Sequence, residues 1–192
     1  MTARLGLYGH HTIPCKSSVC KVNNRNRPAG CASANGGEPG NADPHCACTA
    51  YPYNPLGGHC GNGDLTVFPL SANATDGEHP LFPVSFNVIG SCAPQGLLQS
   101  LPEGAAGVAG LSRLPLSLPS QVASKLKVAK QFALCLPSGG NTGVAVFGGG
   151  PFVLQSAHPE NLAQVQPSLP LVKNPKNPGA YYFRVRGIAF NQ

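Results

Sequence analysis

Two segments in the middle of the chain carry the pattern of β-strands. Residues 65–72, LTVFPLSA, combine β-branched and aromatic side chains ahead of a polar turn. Residues 81–92, LFPVSFNVIGSC, alternate apolar and polar positions, so that Val84, Phe86 and Val88 would share one face. Both segments therefore predict strands.

Three further strand regions follow from short apolar runs. Residues 105–111, AAGVAGL, form an apolar run between glycines, which suits a buried strand. Residues 131–137, QFALCLP, and 143–150, GVAVFGGG, lie on either side of a glycine-rich turn and predict a hairpin. Residues 181–190, YYFRVRGIAF, alternate cationic and apolar positions as a half-exposed strand does.

The apolar spacing becomes helical after residue 117. Ser117 fits an N-cap and Pro119 fits the first turn of a helix. The residues that recur at helical spacing are Leu118, Val122, Leu126 and Ala129. Lys125, Lys127 and Lys130 mostly face away from them and are predicted to form a solvated face.

The composition supports an all-β domain with many turns. The 192 residues are enough for one domain with a core, or for one domain and part of another. Charged residues make up 10%, against roughly 25% in an ordinary domain. The 24 glycines and 20 prolines favour short strands joined by turns. Residues 151–180 are rich in Pro and Asn and resemble a linker.

The basic residues give the chain a formal charge of +6. They fall in three groups, within residues 16–27, 125–130 and 173–186, and none is interleaved with aromatic residues as in a nucleic-acid surface. We therefore expect a solvated basic surface and no nucleic-acid partner. A positive surface also suits an acidic cell-wall polysaccharide. No stretch is apolar and long enough to predict a membrane span.

Cysteines are crowded into the first third of the chain. The six in this cluster are Cys15, Cys20, Cys31, Cys46, Cys48 and Cys60. Such density in a segment rich in Pro, Gly and Asn predicts disulfides in an oxidising compartment. A zinc site is the alternative, with ligands from His45-Cys46-Ala47-Cys48 and His59-Cys60. The sequence has no CxxC pair and the spacings are irregular, so disulfides are favoured and no metal is predicted.

Secretion is the expected route for such a chain. Asn73-Ala74-Thr75 forms a glycosylation sequon within a turn-like stretch. The first 15 residues, however, contain no apolar signal-peptide region. We therefore expect the natural N-terminus to lie upstream of Met1.

Residues that commonly perform catalysis are sparse. Asp43, Asp64 and Asp76 each lie in a turn-like context, are predicted to be turn formers, and begin neither Asp-Thr-Gly nor Asp-Ser-Gly. The sequence has no HExxH, no GxSxG and no phosphate-binding loop. Cys135 lies in an apolar strand and is predicted to pack or pair. No cofactor is predicted.

A series of motifs resembles one family of plant proteins. In chain order these are CTAYPYNPLGGHCGNGDL, ANATDGEHP, GSCAPQGLLQSLPEGAAGVAGLSR, QFALCLPSGG and VAVFGGGP. GVAGLSRLPLSLPSQVA is similar to the signature of plant pepsin-like proteins. The series as a whole most closely resembles the wheat-type xylanase inhibitors and their cereal relatives.

This resemblance implies an all-β fold of two lobes around a cleft. Residues 1–150 would form most of the N-terminal lobe, without its first strands. Residues 151–180 would connect the lobes, and residues 181–192 would begin the second lobe. A scaffold turn under the floor of the cleft would consist of Gly107, Val108, Ala109, Gly110 and Leu111.

The resemblance also implies that the chain has no catalytic residue of its own. The two catalytic aspartates of an aspartic protease share a proton, and both would lie outside the chain, upstream of Met1 and downstream of Gln192. Tyr53-Asn54-Pro55 at the flap and Ser91-Cys92-Ala93-Pro94 later depart from active members. These departures favour a non-proteolytic, secreted inhibitor of microbial family 11 xylanases, located in the apoplast or cell wall for plant defence. A truncated aspartic endopeptidase and a storage or stress globulin are the alternatives.

The family's disulfides extend the expectation for the cysteines. The cluster from Cys15 to Cys60 would pair internally as three bridges. Cys92 would pair with a cysteine upstream of this chain, and Cys135 would pair with a cysteine in the second lobe. Without those partners, Cys92 and Cys135 would be free or paired with each other.

Overall fold

The fold is known from a computed structural model of the chain. The residues that the structure describes are 4–5, 9–27, 31, 46–75, 82–136, 143–149, 153–154, 160–161 and 169–187. The strands are β1 (Arg4–Leu5), β2 (His11–Thr12), β3 (Thr49–Ala50), β4 (Tyr53–Asn54), β5 (His59–Cys60), β6 (Gly63–Ala74), β7 (Phe82–Ser91), β8 (Phe132–Cys135), β9 (Val144–Phe147), β10 (Val153–Leu154) and β11 (Glu160–Asn161). The helices are α1 (Ser18–Arg25), α2 (Gln95–Leu98) and α3 (Leu118–Leu126).

The chain divides into two compact units. The first comprises residues 1–110 and 135–144, and the second comprises residues 111–134 and 145–192. Each unit is described by itself below. The domain boundaries predicted at residues 150 and 180 remain a prediction.

The first unit is built on the antiparallel pair β6 and β7. The two strands stay in register from Leu65 opposite Ser91 to Ala74 opposite Phe82. Strands β1, β2 and β3 also pair with β6, which completes a five-stranded sheet. Apolar and polar side chains alternate along β7, and Val88 on its apolar face is buried. The two strands predicted in this region are therefore confirmed, and β6 is longer than expected.

Helix α1 lies in the cysteine-rich segment, where the sequence predicted no helix. Ser17 caps the helix by accepting a hydrogen bond from the backbone N–H of Cys20 (3.1 Å). Only Cys20 is buried on this helix, so its sequence shows no apolar stripe. Asn23 donates from Nδ2 to the carbonyl of Thr49 (3.1 Å), and this contact ties the helix to β3.

The predicted helix after residue 117 is confirmed as α3 in the second unit. Ser117 is its N-cap and Pro119 lies in its first turn. The Ser117 hydroxyl makes no cap bond and instead lies 2.9 Å from the Ser120 hydroxyl. The helix ends at Lys127, whose φ of 58° is left-handed. Ala129 is therefore outside the helix, contrary to the predicted apolar face.

The hairpin predicted from residues 131–137 and 143–150 is confirmed, because β8 and β9 form a two-stranded sheet. Aromatic side chains pack beside this hairpin. The rings of Phe132 and Phe147 lie 6.3 Å apart. The ring of Tyr181 meets Phe132 edge to face at 6.2 Å, and the Arg113 guanidinium lies 4.9 Å from the centre of Tyr181. These contacts gather distant parts of the second unit around one small cluster.

The structure corrects three predictions about strands and turns. Residues 105–111 form no strand, and residues 105–110 are exposed, because two glycines in a run of seven residues weaken a strand. Residues 183–187 form no strand either. Within the described residues 181–187, one isolated β-bridge joins Tyr182 to Val172. Asp64 lies in β6 opposite Thr49, not in a turn.

Candidate functional site

A short hairpin forms one side of the candidate site. Strands β4 and β5 pair antiparallel, with Tyr53 opposite Cys60 and Asn54 opposite His59. Gly58 closes the turn by donating its N–H to the Asn54 carbonyl (2.9 Å), and its φ of +66° explains the glycine. The sequence Asn-Pro-Leu-Gly-Gly therefore turns the chain back within four residues.

Asn54 joins this hairpin to the segment that follows α2. Its side chain is 2% exposed. Its Nδ2 donates to the Leu97 carbonyl and to the Ser100 hydroxyl, both at 2.7 Å. Its Oδ1 accepts from the Leu56 N–H at 2.9 Å and from the Gly57 N–H at 3.4 Å. A buried amide with all of these partners fixes the hairpin against α2.

A cavity of about 430 Å³ lies between the hairpin and α2. Its polar side chains come from His59, Gln99 and Ser100, and Pro94 and Leu97 add apolar wall. We name this cavity the hairpin cleft. Hydrogen-bonding groups beside a small apolar wall suit a polar ligand or a side chain of a partner.

Carboxylates are scarce among the described side chains. The acidic side chains among them are Asp64 and Glu103, both of which are exposed, and neither lines the hairpin cleft. General acid–base work needs groups placed on the reacting atoms. Within the described residues, no group of three or more His, Cys, Asp or Glu side chains is arranged to hold a metal ion.

The six clustered cysteines form three disulfides, as predicted. Cys15 pairs with Cys46, Cys20 with Cys48 and Cys31 with Cys60. Their Cα atoms lie 5.5 to 5.7 Å apart, within the usual range. Because Cys60 lies in β5, the third bridge ties the hairpin cleft to Cys31.

Cys92 and Cys135 are free and exposed. The structure therefore does not pair them with each other. Cys135 lies in β8 as expected, and its exposed side chain does not pack in a core. A free Cys135 agrees with the first of the two alternatives, and its pairing with a cysteine of the second lobe stays a prediction.

The remaining predicted positions lie at the surface. Asn73 is exposed and lies in β6 opposite Pro83, not in a turn. In the predicted scaffold turn, Val108 is 52% exposed and Leu111 is half-buried. The other three residues of that turn, Gly107, Ala109 and Gly110, are exposed.

The sequence missed the hairpin cleft itself. The flap motif Tyr53-Asn54-Pro55 and the alternative zinc ligands His59-Cys60 lay in this region, but neither predicted a cleft. No apolar period joins β4 to α2, so their contact through Asn54 could not be read from the pattern.

Comparison with known proteins now places the chain. Residues 8–149 match the family model described as Xylanase inhibitor N-terminal. The chain belongs to this family. It is 49% identical over 186 residues to Chitinase CLP of Oryza sativa subsp. japonica, an alignment that covers 95% of the chain and 44% of that protein. It is 31% identical over 147 residues to Gamma conglutin 1 of Prunus dulcis, covering 73% of the chain and 33% of that protein.

Solved structures agree with the fold. The crystal structure of edgp matches with a TM-score of 0.68 at 29% identity, covering 86% of the chain and 40% of that protein. Basic 7S globulin from soybean matches with the same TM-score and identity, covering 93% of the chain and 45% of that protein. The chain is thus mostly β with the pepsin-like architecture of an N-terminal lobe, and it spans less than half the length of these proteins. Among the described residues, no helix has the length and apolar character to cross a membrane.

Proposed function

We propose that the chain is the N-terminal part of a non-proteolytic pepsin-like protein that binds and inhibits a microbial family 11 xylanase. The observation that carries this proposal is the family match over residues 8–149. It is supported by Tyr53-Asn54-Pro55 at the flap and by Ser91-Cys92-Ala93-Pro94, which depart from the motifs of active aspartic proteases.

The hairpin offers an anchor for a protein partner. Tyr53 is exposed, and Leu56 at the turn is 64% exposed. Exposed tyrosines are enriched among the residues that dominate protein interfaces. The disulfide at Cys60 and the bonds of Asn54 hold this hairpin in place, so that presenting it to a partner costs little conformational entropy.

A storage globulin on the same scaffold is the second candidate. It is favoured by the structural match to soybean Basic 7S globulin and by 40% identity over 106 residues to Basic 7S globulin 2 of Glycine max. The name of the rice relative suggests action on a polysaccharide, and a match to Probable aspartic proteinase GIP2 of Nicotiana benthamiana suggests proteolysis. Proteolysis is disfavoured because Tyr53-Asn54-Pro55 and Ser91-Cys92-Ala93-Pro94 depart from the motifs of active members.

Titration calorimetry of the chain with a family 11 xylanase, combined with an assay of xylan hydrolysis, tests the proposal. We expect binding and loss of xylanase activity, and we expect Leu56→Ala to weaken both. Leu136→Ala is the matched control, since Leu136 is 81% exposed and lies outside the hairpin of β4 and β5. Absence of binding would favour the globulin, and hydrolysis of casein or chitin by the purified chain would favour an enzyme.

A further inference from the structure

Charge is distributed very unevenly along this chain. Residues 111–192 contain eight of the 13 basic residues but only one of the seven acidic residues, which gives them a formal charge of +7. Residues 1–110 contain five basic and six acidic residues, for a charge of −1. Residues 135–144 carry no charge, so the whole excess of positive charge belongs to the second unit.

Part of this charge lines a groove in the second unit. The groove has a volume of about 830 Å³ and lies between residues 169–173 and two arginines, Arg184 and Arg186. Val172 and Tyr182 connect its two sides, since the Val172 N–H donates to the Tyr182 carbonyl at 2.7 Å. Lys173 adds a third cation. We name this the cationic groove.

Among the described residues, the cations of the groove are exposed and form no ion pair. Lys173, Arg184 and Arg186 all face solvent. Arg113, by contrast, contacts the ring of Tyr181, and Lys130 donates to the carbonyl of Arg113 (2.8 Å). Three exposed cations around one concavity produce a focused positive potential.

We propose that the cationic groove binds a carboxylate-bearing polysaccharide, with Arg184, Arg186 and Lys173 as its carboxylate contacts. The planar guanidinium group binds a carboxylate through two parallel hydrogen bonds. Arg184 and Arg186 both line the groove together with Lys173, so that several carboxylates of one polymer can be contacted at once. This inference is independent of xylanase inhibition.

The apolar lining and the disulfides favour a glycan over other polyanions. Leu169, Leu171 and Val172 line the groove beside its cations, and they offer surfaces on which the C–H faces of sugar rings can pack. The three disulfides indicate an oxidising compartment, where nucleic acid is not the usual polyanion. The open shape of the groove admits a chain that passes through it.

The test compares two triple variants of the whole chain on immobilised polygalacturonate. One is Lys173→Gln, Arg184→Gln, Arg186→Gln. The control removes the same charge from the first unit through three exposed residues, as Lys16→Gln, Lys21→Gln, Arg25→Gln. We expect the groove variant to bind about tenfold more weakly, or about 1.4 kcal/mol, and the control to change less than twofold. Higher salt should weaken the binding of the unmodified chain to polygalacturonate, because exposed ion pairs are screened.

Further measurements separate the site from general charge. Methyl-esterified polygalacturonate should bind poorly, because its carboxylates are neutral. Arg184→Lys with Arg186→Lys should bind at an intermediate level, because charge is kept while the paired hydrogen bonds are lost. Equal weakening of both triple variants would overturn the site, as would unchanged binding of the groove variant. Tighter binding to polyglutamate, duplex DNA or anionic phosphatidylserine vesicles would replace the glycan by that class of partner. Thermal melting of each variant confirms that it is folded.

Discussion

The most informative single change in the described structure is Asn54→Ala. Asn54 is the only side chain that we find bonded to the turn of the hairpin and to the α2 segment together, within the described residues. Alanine removes two donor bonds of 2.7 Å and one acceptor bond of 2.9 Å. It also leaves the Leu97 carbonyl and the Leu56 N–H without this partner.

The expected cost follows from these three short bonds. Each contributes about 1 kcal/mol net, so their loss lowers the free energy of opening the hairpin by about 3 kcal/mol. The fourth bond, to the Gly57 N–H at 3.4 Å, is long and adds little. A change of about 3 kcal/mol increases the population of the open hairpin roughly hundredfold.

Native-state hydrogen exchange is the appropriate assay, because it reports local opening in a chain of two units. The reporter is the Gly61 N–H, which donates to the Pro52 carbonyl at 2.9 Å and does not contact Asn54 directly. We expect its exchange to accelerate roughly hundredfold in Asn54→Ala. Asn54→Asp should be at least as damaging, since it places a carboxylate against the Leu97 carbonyl. Asn87→Ala, at an exposed position in β7, should leave the exchange unchanged. Acceleration of less than threefold in Asn54→Ala would refute the reasoning.

Three further predictions test other parts of the structure. Gly63→Ala should destabilise the first unit by about 3 kcal/mol, because the added Cβ would overlap the Cys92 carbonyl oxygen. Gly107→Ala is the control, since the space around Gly107 is open, and it should change stability by less than about 0.5 kcal/mol. Urea denaturation measures both changes. Cys48→Ala should cost about 3 to 4 kcal/mol by the same measurement, because it removes a disulfide that spans 28 residues; an unchanged midpoint would contradict this. Alkylation without reductant should label two thiols per chain, at Cys92 and Cys135, and mass spectrometry showing none or more than two would disprove the assignment.

The sequence predicted those elements whose own residues carry a period. β7 alternates apolar and polar side chains, β6 is rich in β-branched and aromatic residues, and α3 combines an N-cap serine with an early proline. In these segments the local pattern agrees with the tertiary environment. The family resemblance added the three disulfides, which the residues alone suggested only by their density.

The sequence failed where contacts between distant segments decide the structure. Helix α1 is stabilised by the Cys20–Cys48 disulfide and by the bond from Asn23 to Thr49, and neither leaves a periodic signal. Residues 105–111 look like a buried strand because they are apolar, but a strand also needs a neighbour to pair with. None of the described strands pairs with them.

The hairpin cleft combines two kinds of restraint that act on different states of the chain. The Cys31–Cys60 disulfide stabilises mainly by restricting the unfolded chain. Asn54 acts in the folded state, where its bonds to Leu97 and Ser100 hold the hairpin against α2. Loss of the disulfide should therefore have a large effect on global stability and a smaller effect on the affinity of the hairpin cleft for a partner. Loss of Asn54 should have a larger effect on this affinity than on global stability, because a hairpin that opens freely must be ordered again each time a partner binds.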